Sequence, residues 1–86
     1  MSETREIRLK RLRHRSWRRG VREMDLILGR FADADLARLD EAGLDAYERL
    51  LDQPDWDLYY WITGAEPVPP EHAPLIDRLR LFHKAG

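Results

Sequence analysis

Apolar side chains recur at steps of three and four residues along most of this chain of 86 residues. Val21, Met24, Ile27, Leu28 and Phe31 show the pattern most clearly. This period places apolar residues on one face of an α-helix. No segment shows the sustained alternation of apolar and polar residues that is typical of a half-buried strand. The sequence therefore predicts an all-α fold.

Glycine and proline divide this pattern into about five helices. We expect Asp40 to cap the third helix, Pro54 to stand at the entry of the fourth, and Gly64 to end the fourth as a left-handed cap. The predicted helices cover about residues 5–16, 21–36, 41–52, 54–64 and 70–84, with a proline-rich connector at 65–70. A chain of this length forms one small domain, here a helical bundle over residues 1–86. Residues 1–10 could form a flexible basic arm.

Charge is distributed very unevenly along the chain. Residues 1–30 contain ten Lys and Arg residues and four acidic residues, whereas residues 31–86 contain five and twelve. A basic segment next to an acidic body is compatible with nucleic acid, with an acidic protein partner or with neutralisation inside the chain. The basic segment has Trp17 as its one aromatic residue and matches no nucleic-acid-binding motif, so nucleic acid is the least favoured partner.

The residue types needed for catalysis or metal binding do not occur in suitable patterns. The chain has no cysteine, which excludes a thiolate nucleophile, a disulfide and a cysteine-based zinc site. His14, His72 and His83 form no zinc motif, and we expect His72 and His83 on the surface of the last helix. Asp55 and Asp57 point in different directions on a helix, where both complement its dipole. The sequence predicts no enzyme, no metal site and no membrane-spanning segment.

An aromatic tract follows Pro54. Trp61 shares a helix face with Leu58 and is expected in the core. Trp56 and Tyr60 are four residues apart and form a second stripe. Because a small bundle rarely buries both sides of a short helix, Trp56, Tyr59 and Tyr60 could equally belong to the core or to a protein-binding surface.

The segment around Gly20 is the most distinctive in the chain. Gly20 could supply a backbone angle that other residues avoid, or let the backbone of a partner approach closely. Arg19 and Glu23 are four residues apart, so they would share a face and pair if the segment were helical. The alternative is an exposed ion pair beside a turn glycine, worth less than about 1 kcal/mol. The residues alone do not decide between the two.

Two segments resemble the succinate dehydrogenase assembly factor 2 family, whose bacterial members are the FAD assembly factor SdhE. Arg18-Arg19-Gly20-Val21-Arg22-Glu23-Met24-Asp25 resembles the Arg-Gly-x-x-Glu signature of that family. Leu50-Leu51-Asp52 followed by Asp55-Trp56-Asp57-Leu58-Tyr59-Tyr60-Trp61 resembles its Leu-Leu … Asp-x-Asp-Leu-x-x-Trp segment. The two segments occur in the right order and at the right distance, and the similarity covers about residues 11–82.

The resemblance implies a helical bundle that assists covalent attachment of FAD to the flavoprotein subunit of succinate dehydrogenase, and in some bacteria of fumarate reductase. FAD and the histidine that accepts it belong to the flavoprotein, so the chain is expected to hold no cofactor. The predicted partner-contacting residues are Arg19, Gly20 and Glu23, with Arg18, Arg22 and Asp25 beside them, and with Asp55, Trp56, Tyr59 and Tyr60 as second candidates.

Two other functions compete with this interpretation. One is binding of nucleic acid through the basic segment, which a salt-sensitive shift of duplex DNA would reveal. The other is an antitoxin-like role with a different protein partner. For localisation, the absence of a visible transit peptide after Met1 favours the bacterial cytoplasm, and a eukaryotic source would imply the mitochondrial matrix.

Overall fold

Helices account for most of the residues in the computed structural model, which describes residues 3–85. Within that range there are five α-helices and no strand. The helices are α1 (Arg5–Trp17), α2 (Arg22–Asp35), α3 (Glu41–Leu51), α4 (Asp55–Thr63) and α5 (Ala73–Ala85), and a 3₁₀ turn at Leu36–Arg38 follows α2. The predicted all-α bundle is confirmed. None of the described helices is long and apolar enough to cross a membrane.

The ends of α3 and α4 agree with the predicted capping residues. The Asp40 carboxylate accepts a hydrogen bond of 2.7 Å from the Gly43 amide. Gly64 follows α4 with φ +85°, the left-handed conformation that ends a helix. Pro54 directly precedes α4, where its missing N–H breaks no helical hydrogen bond.

The start of α5 was predicted three residues too early. The His72 and Ala73 amides donate to the carbonyls of Pro69 and Pro70, which are three residues back rather than four. Because proline has no N–H and fixes its own φ, this segment forms turns before the helical pattern can begin. The helix starts at Ala73 as a result.

This shift explains why the predicted surface position of His72 on the last helix was wrong. His72 lies in the turn before α5 and is buried, with its ring stacked on Trp61 at 5.4 Å between centroids. His83 is half-buried, and its Nε2 lies 2.9 Å from the Ile27 carbonyl oxygen of α2. Both histidines therefore contact a neighbouring helix, His72 through Trp61 of α4 and His83 through Ile27 of α2.

All five helices contribute to one hydrophobic core. Leu58 and Trp61 of α4 are buried in it, as predicted. The core also contains a pair of hydroxyls, since the Tyr47 hydroxyl lies 2.7 Å from Ser16 Oγ. Burial raises the pKa of Tyr47 to about 12. The largest fully buried side chains are Tyr47, Phe31, Leu12, Met24, Leu28, Leu36, Leu44, Leu50, Leu58, Ile76 and Leu79.

A ladder of ion pairs joins α1 to α3. The shortest N–O distance in each rung is 2.7 Å for Arg5–Glu41, 2.6 Å for Arg8–Asp45, 3.0 Å for Arg11–Glu48 and 2.9 Å for Arg15–Asp52. Residue numbers rise together along the two helices, so α1 and α3 run parallel. Much of the basic charge of the N-terminal segment is therefore neutralised inside the chain, and residues 5–10 form the first half of α1.

Gly29 of α2 provides the close approach between α1 and α2. A Cβ at this position would lie 2.2 Å from Cδ2 of Trp17, far inside van der Waals contact. Trp17 is held there by a hydrogen bond of 3.2 Å from its Nε1 to the Asp33 carboxylate. The ring of Trp17 thus fills the space that a side chain at position 29 would need.

We expect Gly29→Ala to destabilise the fold by about 1–3 kcal/mol, because the indole must move. An exposed helical glycine would give the opposite sign, since alanine is favoured over glycine by about 1 kcal/mol in a helix. Urea unfolding measures the difference, and Ala34→Gly on the exposed face of α2 reports helix propensity alone. A Gly29→Ala variant more stable than the wild type would contradict the close packing of Trp17.

The ladder predicts a loss of stability in acid. The hydrogen bond from Arg11 is the main reason why the pKa of Glu48 lies below its usual range, and the same holds for the pKa of Glu3. A carboxyl whose pKa is lower in the folded state stabilises the fold above its unfolded pKa, and this contribution disappears as the pH falls through the folded pKa. We expect the contribution of Glu48 to be at most about 1 kcal/mol, since the pair is partly exposed and screened.

Urea midpoints of the wild type and of Glu48→Gln, measured at pH 7 and pH 3, test this expectation. The two proteins should differ at pH 7 and converge at pH 3. Glu66→Gln in the connector, which forms no ion pair within residues 3–85, serves as the control. A difference between wild type and Glu48→Gln that is the same at both pH values would contradict the ladder.

Candidate partner-binding site

Arg19 joins the loop between α1 and α2 to the turn between α3 and α4. Its guanidinium donates to the Leu51 carbonyl at 2.7 Å and to the Gln53 carbonyl at 2.6 Å. Its Nε forms an ion pair with the Asp55 carboxylate in the first turn of α4. The Arg19 side chain is 10% exposed. We call Arg19, Asp55 and the two carbonyl groups the Arg19 clamp.

The backbone of the loop is fixed as well. The Arg19 amide donates a hydrogen bond of 2.7 Å to the Asp25 carboxylate in the first turn of α2. Acidic groups are favourable at this end of a helix because of the helix dipole. The loop at residues 18–21 is therefore held from two sides, by α2 through Asp25 and by α4 through Asp55.

The pair that Arg19 and Glu23 would make in a continuous helix does not form. Residues 18–21 are not helical, because α1 ends at Trp17 and α2 begins at Arg22. A spacing of four residues places two side chains on one face only within a continuous helix. Arg19 binds Asp55 instead, and Glu23 is exposed.

Gly20 lies at the exposed tip of this loop. Its φ of +94° falls in the left-handed region, which side chains with a Cβ avoid. A Cβ at this position would meet no atom within 4 Å. Glycine is thus required here by the backbone angle and not by crowding within the chain, and the space above it is open to a visiting molecule.

The aromatic stripe of α4 faces outward. Trp56 is 59% exposed and Tyr60 is 39% exposed. Tyr59 is half-buried and packs edge-to-face against Trp56 at 6.0 Å between ring centroids. This contact limits the orientations of the Trp56 ring. The sequence left open whether these residues belong to the core or to the surface. Trp56 and Tyr60 lie on the surface, beside the buried Leu58 and Trp61.

Three charged side chains near Gly20 are exposed. Arg18, Arg22 and Glu23 form no ion pair or side-chain hydrogen bond with any part of the chain that the structure describes. They are available for contacts with another molecule. The candidate site thus combines exposed charges with a loop held by hydrogen bonds and with an exposed Trp56 ring that packs against Tyr59.

The structure brings some of the predicted site residues together and leaves others apart. Arg19 contacts both Asp25 and Asp55. In the chain, Gly20 directly follows Arg19 and Trp56 directly follows Asp55. Glu23 is outside the contact. Whether these residues bind a partner stays a prediction.

Two members of the clamp were not identified from the sequence. The carbonyl groups of Leu51 and Gln53 act through the backbone, so their residue types carry no signal. The pairing of Arg19 with Asp55 spans 36 residues and depends on how the helices pack. A local motif cannot reveal such a contact.

The arrangement is suited to recognition. Over residues 3–85 there is no group of three or more His, Asp or Glu side chains that could hold a metal ion. The exposed part consists of a glycine turn, three charged side chains and two aromatic rings, with no paired nucleophile and base among them. Such a combination of aromatic and arginine side chains is common in protein interfaces.

Comparisons with known proteins agree with the resemblance in the sequence. The Sdh5 family, described as the flavinator of succinate dehydrogenase, matches residues 10–83. A protein of Scheffersomyces stipitis named succinate dehydrogenase assembly factor 2, mitochondrial, is 53% identical over 68 residues, which cover 79% of this chain and 46% of the relative. The protein of the same name from Mycosarcoma maydis is 47% identical over 68 residues, covering 79% of this chain and 29% of the relative.

This chain therefore spans less than half the length of these two relatives. The matched family region nevertheless includes all of the Arg19 clamp, Gly20 and the exposed aromatic stripe. Because the family match covers far more than half of the chain, the chain belongs to the Sdh5 family of succinate dehydrogenase assembly factors.

Proposed function

We propose that this protein binds the flavoprotein subunit of a succinate dehydrogenase and promotes covalent attachment of FAD to that subunit. The observation that carries the proposal is the family match over residues 10–83, which contains the whole candidate site. The flavoprotein supplies FAD and the residue that accepts it. This chain supplies binding energy and no catalytic group of its own.

The mechanism follows from binding one arrangement of the partner better than others. A flavoprotein that holds FAD loosely samples several arrangements, and a protein that prefers one of them shifts the population towards it. If the preferred arrangement aligns FAD with the acceptor residue, attachment is faster because the reacting groups are already oriented. A binder performs this role best when its own surface is rigid.

The candidate site has the properties that this mechanism requires. Gly20 lets the backbone of a partner come close, since no side chain covers it. Trp56 presents a large ring to solvent, and tryptophan is among the residues that contribute most to binding when buried in an interface. The exposed Arg18 and Arg22 are suited to contacts with carboxylates of the partner.

The ion-pair ladder argues against nucleic acid as the partner. Four arginines of the basic segment already pair with carboxylates of α3 or of Asp52 directly after it, so their charge is not free to neutralise phosphates. The natural site of action is the compartment where the flavoprotein acquires FAD, the bacterial cytoplasm or the mitochondrial matrix. The two relatives described above carry the word mitochondrial in their names.

Expression of the flavoprotein subunit of the host with and without this chain tests the function directly. We expect covalent flavin, detected as fluorescence of the flavoprotein band on a denaturing gel, to rise when the chain is present. The total amount of flavoprotein on the same gel is the control for expression. Equal covalent flavin in the two cultures, with both proteins present, would overturn the proposal.

Substitution of Gly20 separates binding from folding. Gly20→Arg should cost about 1–2 kcal/mol of stability, because a side chain is strained at a positive φ, but the bundle should still fold since the space is open. The bulky side chain should block the flavoprotein. Size-exclusion chromatography of the mixture would then show no complex.

Gly64→Arg is a matched control for this variant. Gly64 has φ +85° and also has no atom within 4 Å of a Cβ, but it lies at the far end of α4 from Asp55. We expect a similar loss of stability and a normal complex. A normal complex with Gly20→Arg, or loss of the complex with both variants, would contradict the assignment of Gly20 to the interface.

A further inference from the structure

The contacts of Arg19 suggest a role different from the one expected for an arginine in a binding motif. We propose that Arg19 is a positioning residue, which fixes the Gly20 loop relative to Trp56 so that the two form one docking surface for the partner. Asp55 is its counterpart in this role. The inference rests on the proposed function for the identity of the partner, but the geometry that it concerns belongs to this chain alone.

All three nitrogen atoms of the Arg19 guanidinium form hydrogen bonds within the molecule. Its Nε, Nη1 and Nη2 atoms each donate to a different acceptor, namely Asp55, the Leu51 carbonyl and the Gln53 carbonyl. With the side chain 10% exposed, little of it can reach a partner. A direct contact with a partner carboxylate would require Arg19 to leave three acceptors, two of which are backbone carbonyls at the end of α3 and in the turn after it.

Arg19 also connects the loop between α1 and α2 to the turn between α3 and α4. Among residues 3–85, it makes every hydrogen bond that joins the loop at 18–21 to the segment at 51–55. Trp56 directly follows Asp55 in the first turn of α4, and Gly20 directly follows Arg19. The clamp therefore connects the loop that carries Gly20 to the turn of α4 that carries Trp56.

Replacing either Arg19 or Asp55 breaks the ion pair that holds the loop to α4. The loop would no longer be held to α4, so a partner would have to order it during binding, at a cost in affinity. Since both substitutions remove one shared interaction, their effects should not add. Independent contacts of Arg19 and Asp55 with the partner would instead give additive effects.

A double-mutant cycle distinguishes these possibilities. The dissociation constant for the flavoprotein subunit is measured for the wild type, Arg19→Gln, Asp55→Asn and the double variant. We expect each single variant to bind about ten-fold more weakly, and the double variant to be within about two-fold of the weaker single variant. Additive losses, loss in Arg19→Gln alone, or no loss in any variant would overturn the positioning role.

Arg15 and Asp52 provide the matched control. They form a neighbouring ion pair of 2.9 Å between the last turn of α1 and the residue after α3, but within the described residues their side chains form no hydrogen bond or ion pair with the loop at 18–21. Arg15→Gln and Asp52→Asn remove the same charges as the clamp variants. We expect both to change affinity by less than about two-fold, since exposed ion pairs contribute little. A loss as large as that of the clamp variants would mean that net charge explains the result.

A second measurement does not need the partner. The chain has no cysteine, so spin labels can be placed on cysteines introduced at Arg18 in the loop and Tyr60 on α4. Both side chains are exposed. We expect the distribution of distances between the labels to be narrow in the otherwise unchanged protein and clearly broader with Arg19→Gln or Asp55→Asn, while far-ultraviolet circular dichroism stays the same.

The two measurements separate failure of this inference from failure of the proposed function. If the wild-type chain does not bind the flavoprotein, the proposed function is wrong, and the spin-label distances still decide whether Arg19 fixes the loop. If binding is normal in the wild type and the distances do not change in the clamp variants, the positioning role is wrong. Should Arg19→Gln fail to fold, Asp55→Asn carries both measurements, because it leaves the bonds from Arg19 to the two carbonyls possible.

Discussion

The placement of the guanidinium of Arg19 is the constraint on which the candidate site depends. A charged group that is almost covered by protein is tolerated only when its donors find partners, and here three separate acceptors meet that need. One of these acceptors is the carbonyl of Leu51, the last residue of α3, where backbone oxygens lack partners within the helix, and another is the Gln53 carbonyl in the turn that follows. One side chain thus stabilises the end of α3, neutralises Asp55 in α4 and holds the loop that carries Gly20.

Arginine side chains are paired with carboxylates in the rest of the molecule as well. The sequence divides into a basic first third and an acidic remainder, yet the fold places α1 parallel to α3 so that arginines and carboxylates face each other at each turn. Of the three uses of the basic segment that the sequence left open, neutralisation inside the chain accounts for five of its arginines, the four of the ladder and Arg19. Near the site, the basic side chains of Arg18 and Arg22 remain exposed and differ in this from the paired arginines.

Helical periodicity and end signals were sufficient to predict most of the fold. The caps at Asp40 and Gly64 and the buried positions of Leu58 and Trp61 depend on residues close in sequence, so the sequence carries them directly. The start of α5 was misplaced because consecutive prolines formed turns that periodicity does not register. His72 was consequently assigned to the wrong environment.

For the candidate site, the sequence named residues but not the contacts between them. Resemblance to a family pointed to Arg19, Gly20 and Asp55, whereas the contact between Arg19 and Asp55 arises only when distant segments pack together. The pair of Arg19 with Glu23 was conditional on a helix through this segment, and the condition fails because residues 18–21 form a loop.

The first two turns of α1 have a consequence for the motions of this molecule. No side chain from residue 3 to residue 10 is fully buried, so charge holds this end of the helix more than packing does. Trp17 and Ser16 at the other end are seated against α2 and α3. The start of α1 can therefore unfold transiently, from Thr4 onwards, while the last turn of the helix stays folded. Such local unfolding does not alter the neighbouring Gly20 loop.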